Sequence, residues 1–199
     1  YAALTANTTG TGNIAFGYNA LSANTTSSSN TAVGHNAMAA NTTGENNTAV
    51  GLNALDGNTT GTRNTTIGYN SQTNSTTGNN NTTCGADTMV SLSTGHDNTA
   101  LGAYALNSIS TGSNSVGIGV SALEANSTAS GNTAIGWHSQ MRTTTGSGNI
   151  SVGQNTLENI TTANYNTAVG NAVLFNSTAS ENTGVGYNAL SQNTTGTQN

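Results

Sequence analysis

Apolar residues recur along this chain at one long interval, and not in a helical or simply alternating rhythm. A glycine preceded by an apolar residue stands at positions 17, 34, 51, 68, 85, 102, 119, 136, 153 and 170, a spacing of 17 every time. Gly186 follows after 16, and the missing residue is placed just after Gly170, where Asn171-Ala172-Val173 stands for a unit such as Tyr18-Asn19-Ala20-Leu21. Numbering columns 1 to 17 with the glycine last, the whole of residues 1–199 is repeat, a single domain of about twelve coils. That period is too short for helix-pair repeats and matches one turn of an all-β parallel solenoid, or β-roll. Glycines in column 17 and the Gly/Ala/Ser column 10 mark turns. Three short strands per coil are expected, at columns 2–4, 7–9 and 13–16.

Substitutions within each column suggest which residues face inward. Column 16 is apolar throughout, as in Val33, Val50, Ile67, Cys84, Leu101, Ile118, Ile135, Val152 and Val169. Column 14 is mostly threonine but becomes Ile14, Val116 and Ile150, so by the period of two it shares the inner face with column 16. Column 4 is a second apolar ridge, with Leu21 and Leu55 typical and Gln72 and Gln140 as exceptions. Column 7 is asparagine in seven coils, among them Asn24, Asn41 and Asn58, and aliphatic at Leu92, Ile109 and Ile160, which predicts an inward hydrogen-bonded ladder. Column 9, with Thr26, Thr43 and Thr60, joins that face by parity. Two columns never exceed threonine in size: column 3 (Ala20, Ala37, Ala54) and column 15 (Ala32, Ala49, Ala100, Ala134, Ala168). Facing outward, they would let other chains approach closely, as subunit contacts of a homo-oligomer; restriction by β-packing alone is the alternative.

The unit Asn30-Thr31-Ala32-Val33-Gly34, repeated at Asn47–Gly51, Asn132–Gly136 and Asn166–Gly170, resembles the head repeat of trimeric autotransporter adhesins, and more closely its Asn-Thr-Thr-Gly variant in phage tail-fibre and adhesin-like proteins. The resemblance implies a left-handed parallel β-roll, an aliphatic pair directed inward, and a partner-facing column 15 in a trimer. This chain departs from it in a longer coil and in threonine at the first aliphatic position.

Composition narrows the function classes. Only 5% of the 199 residues are charged and the net charge is −5, against about a quarter charged in an ordinary domain. With Arg63 and Arg142 as the only basic residues apart from histidine, no basic stripe can neutralise phosphates, so nucleic acid is not an expected partner. No apolar run reaches membrane-spanning length, so membrane insertion is not expected. One cysteine excludes an intrachain disulfide framework. Asp56, Glu124 and Glu158 share column 5, the last two about 10 Å apart by coil spacing, but that column varies as a solvated turn does. No catalytic residue, metal site or cofactor is expected, since His35, His96 and His138 fall in different columns. Column 1 carries Tyr18, Tyr69, Trp137 and Tyr187, which could stack on sugar rings or cover the turn beside column 4.

The expected function is a non-catalytic extracellular rod, at a cell surface or in a virion fibre. It would be an adhesin-type shaft or receptor-contacting segment, associating with itself as a trimer or a head-to-tail filament. A tail-fibre segment that binds a cell-surface glycan, or a protein receptor, is the alternative. Ice binding ranks lower, because column 14 is read as inward and only the single outward Thr/Ser row of column 8 remains.

Overall fold

The structure, a computed structural model, describes residues 3–199. Eleven three-residue strands, from Ile14–Phe16 to Thr183–Val185, form one parallel sheet in strict sequence order. Each strand pairs with the next in the same register, as in Thr31 with Thr48, Ala32 with Ala49 and Val33 with Val50. The chain is a β-solenoid with one coil per 17 residues. At about 4.8 Å per strand, eleven strands span roughly 50 Å.

Each coil carries one strand, not three. Columns 2–4 and 7–9 stack by backbone hydrogen bonds, such as Leu21 N–H to the Ala37 carbonyl at 3.0 Å and Thr42 N–H to that of Thr59 at 3.0 Å, but they are turns. The reason is ring closure. Residues in columns 2 and 4 adopt left-handed φ, for example Asn36 at 56° and Met38 at 52°, and this curls the chain back on itself within seventeen residues. A leucine or methionine in that conformation costs about 1–2 kcal/mol. Its complete burial returns about 1.5–3 kcal/mol, and Leu21, Met38, Leu55, Met89, Leu106, Leu123 and Leu157 are all fully buried.

The strand faces the opposite way from the expectation. In every described strand from Thr31–Val33 onward the central residue is buried and its neighbours are not. Column 15 (Ala32, Ala49, Ala100, Ala134, Ala168) and column 3 (Ala20, Ala37, Ala54) therefore line the core and cannot be subunit contacts. Column 16, expected inside as Val33, Val50, Ile67, Cys84, Leu101, Ile118, Ile135, Val152 and Val169, points outward with column 14. Thr26, Thr43 and Thr60 in column 9 are likewise exposed.

Enclosed volume explains the inversion. Behind the strand the coil interior is filled by the large side chain of column 4, joined in three coils by a buried column 7 aliphatic (Leu92, Ile109, Ile160), and columns 3 and 15 must be small to admit it. A Cβ placed on Gly117 would lie 3.2 Å from Leu106 Cγ in the same coil.

The same constraint relocates the missing residue. The Val173 carbonyl accepts from Leu157 N–H at 2.9 Å, as the Ser139 carbonyl does from Leu123 N–H at 3.0 Å. Val173 is thus in column 3 and Leu174 in column 4. Thr178 Oγ1 still bonds the Thr194 carbonyl as a column 8 residue, and Ser177 Oγ reaches the Ala179 carbonyl, so the deletion is at column 9, between Thr178 and Ala179. Valine in a column of small residues is matched by glycine opposite: a Cβ on Gly184 would stand 2.6 Å from Val173 Cγ1.

Two glutamines divide the apolar interior into three clusters, running from Ala20 to Leu55, Met89 to Ala134 and Leu157 to Leu174. At the first division Gln72 Oε1 accepts from Thr66 Oγ1 at 3.0 Å, beside a Ser71 to Thr83 hydroxyl bond at 2.7 Å. At the second, Gln140 Nε2 donates to Ser151 Oγ at 2.8 Å and to the Thr133 carbonyl at 2.9 Å. Wherever column 4 becomes polar, columns 3 and 15 become hydroxylic.

Asparagines clamp the coils together along two lines. In column 7 the expected ladder runs through Asn24, Asn41 and Asn58, all fully buried; Asn41 Nδ2 donates to Asn24 Oδ1 at 3.2 Å, and Asn58 Nδ2 to Asn41 Oδ1 at 2.8 Å. The longer ladder is in column 13, which the sequence reading treated only as the start of a strand. There Asn81 Oδ1 accepts from Asn98 N–H at 3.0 Å while Asn81 Nδ2 donates to the Gly95 carbonyl at 3.0 Å. One side chain thus bonds two points of the next coil. The pattern repeats from Asn13 to Asn149, broken at Ser115, whose hydroxyl is 3.4 Å from Asn132 N, and from Asn166 on only the accepting half continues, as in Asn166 Oδ1 with Asn182 N–H at 3.0 Å.

Replacing Asn81 by alanine orphans two buried backbone groups, each worth about 1–3 kcal/mol. Urea or thermal unfolding of Asn81→Ala is expected to show a loss of at least ~2 kcal/mol, and Asn98→Ser a smaller one because serine already serves at position 115.

Candidate functional surfaces

Two outward features run the length of the rod. The first is the strand face. Its column 16 is a continuous apolar stripe, aliphatic except at Phe16 and Cys84, with Ile67, Val152 and Val169 exposed at 43%, 38% and 39%. Column 14 beside it holds threonine in eight of its eleven strands. In-register pairing keeps both columns straight, and column 17 glycine bounds them: a Cβ on Gly34, at φ 139°, would overlap the Gly51 carbonyl. No charged residue occupies either column.

The second feature is the neighbouring edge, column 1. Tyr18, Tyr69, Trp137 and Tyr187 are all about half exposed or more, leaving ring surface open to solvent. Tyr18 lies against His35 with ring centroids 5.1 Å apart, and Trp137 stacks on His138 at 3.7 Å. Tyr1, which shares the column, lies outside the described residues. By coil spacing Tyr18 and Tyr69 are about 14 Å apart, as are Trp137 and Tyr187.

The opposite side is occupied differently. Column 8 hydroxyls are spent on stacking, as in Thr42 Oγ1 to the Thr59 carbonyl at 3.0 Å and Ser110 Oγ to the Ser127 carbonyl at 2.9 Å. Column 9 is a single row of exposed threonine.

Among the described residues there is no pocket and no group of three or more His, Cys, Asp or Glu side chains that could hold a metal ion. Glu124 and Glu158 are half-buried edge residues two coils apart. The sequons at Asn24, Asn41, Asn58 and Asn126 are buried, whereas Asn46 and Asn80 are exposed.

Two carboxyl groups depart from their ordinary acidity. Asp97 is lowered, chiefly by the hydrogen bond from His96 at 2.7 Å, then by that from Asn80 at 3.0 Å. Asp56 is raised, because burial disfavours its charge more than the Ala39 backbone hydrogen bond and the nearby His35 favour it.

For Asp56 the folded chain binds the proton more tightly than the unfolded chain, so its contribution to stability falls as pH rises through the carboxyl range. Asp56→Asn is expected to be the more stable protein at neutral pH, with the gap closing below the unfolded carboxyl pKa; unfolding curves at pH 7 and pH 3 check this. In comparisons with protein-family models, curated proteins and solved structures, the chain matches none.

Proposed function

We propose that this chain is a non-catalytic rod, an extracellular fibre or adhesin-type shaft that supplies length and stiffness and presents its edges to a receptor. One observation carries the reading: a single parallel ladder, unbroken over eleven strands, in which every coil is bonded to the next around its circumference. Such a stack is stiff along its axis because bending must open in-register hydrogen bonds, and its stability is a sum over neighbouring coils. The likeness of Asn-Thr-Ala-Val-Gly to adhesin head and tail-fibre repeats supports the same reading through the repeat alone, since the strand here faces the opposite way from what that likeness implies.

A second reading adds a ligand, a host surface glycan held by the column 1 aromatics. It is favoured by their exposure in one straight file, since exposed rings on a rigid support can stack on sugar faces.

Electron microscopy of the purified chain is expected to show straight particles at least about 50 Å long. Flexible or globular particles would overturn the rod. On a glycan array, Trp137→Ala and Tyr69→Ala are expected to weaken any binding while leaving particle shape unchanged; binding indifferent to both removes the aromatic edge as a receptor site.

A further inference from the structure

The strand face offers chemistry that a shaft does not need. Its eight threonines, from Thr31 to Thr183, sit in one column beside eleven apolar side chains in the next. Among the described residues, no hydroxyl of those eight takes part in a hydrogen bond within the chain, unlike the column 8 hydroxyls, which are bonded to the next coil. The result is an uncharged, in-register, two-dimensional array. Its repeat is about 4.8 Å along the rod and about 6.6 Å from column 14 to column 16.

A protein partner fits this face poorly. Within its two columns it has no charge and, aside from Phe16 at one end, no aromatic anchor of the kind that concentrates binding energy in interfaces; the charges of the flanking column 12 are scattered singly, as Arg63, Asp97 and Glu181. Sealing it dry would strand up to eight hydroxyls, each at about 1–3 kcal/mol. Ordered water meets both requirements. It accepts from and donates to the threonine hydroxyls, while the valine and isoleucine methyl groups hold neighbouring waters in a cage between the columns. Both spacings are close to oxygen repeats on the surfaces of hexagonal ice.

We propose that the face built from columns 14 and 16 binds ice, through threonine hydroxyls that fit lattice water and an aliphatic column that orders the water between them. The inference goes beyond the rod reading, which stands or falls separately. Regular register is what makes it possible, since a slip in one coil would break the lattice match.

The test is thermal hysteresis, with partition of the purified chain into a slowly growing ice front. The native chain is expected to show hysteresis and to enter the ice. Thr82→Tyr and Thr99→Lys, each projecting from the centre of the face, are expected to lose both, whereas Thr43→Tyr in exposed column 9 keeps them. Circular dichroism and sedimentation are recorded for each variant, and Thr99→Lys decides if Thr82→Tyr misfolds. No hysteresis in the native chain, equal loss in Thr43→Tyr, or a stable oligomer whose face variants dissociate it without any ice activity would each overturn the proposal.

Discussion

The large side chain of column 4 fills the space enclosed behind the strand, and most of the architecture is a consequence. Leucine or methionine in column 4 fills the space, so columns 3 and 15 hold residues no larger than threonine in every coil but that of Val173, and the mostly β-branched residues of columns 14 and 16 are turned out to solvent. Where the large residue changes, its neighbours change with it. Gln72 and Gln140 are met by hydroxyls, and Val173, enlarged in column 3, is met by Gly184. Close packing of this kind leaves no room for independent choice at any of the three columns.

So small a core would not hold a coil closed unaided. What it lacks in apolar area is made up by hydrogen bonds between coils, from the strand ladder, the turn backbone, the column 8 hydroxyls and the two lines of asparagine. Asparagine in column 13 is suited to this because its amide offers a donor and an acceptor in the geometry of a backbone peptide. Identical charges stacked at strand spacing would repel, which accounts for a chain with so few of them.

The period, the parallel solenoid, the buried Leu21 and Leu55 ridge and the Asn24–Asn41–Asn58 ladder were legible in the sequence because each column repeats its chemistry. The direction of the strand was not. An upper limit on size at Ala32 or Ala49 has the same appearance whether the wall is the coil's own leucine or another chain, and a column of Val and Ile invites burial. The deciding clue is coupled change: Ser139 and Ser151 accompany Gln140 in one coil, and Gly184 accompanies Val173. Reading columns together, rather than one by one, would have put column 15 inside. The candidate surface was missed for the same reason, since reversing the strand exposes the threonines of column 14.

Cys84, the chain's one cysteine, stands in column 16 and is exposed, with its thiol on the strand face between Ile67 and Leu101 in the adjoining strands. Native-state thiol labelling therefore tests the inside-out arrangement directly. The structure predicts that Cys84 reacts with a small thiol reagent in the folded chain at a rate close to that in denaturant, while a cysteine introduced at Ala100 is protected. Protection of Cys84 in the folded chain would contradict the account.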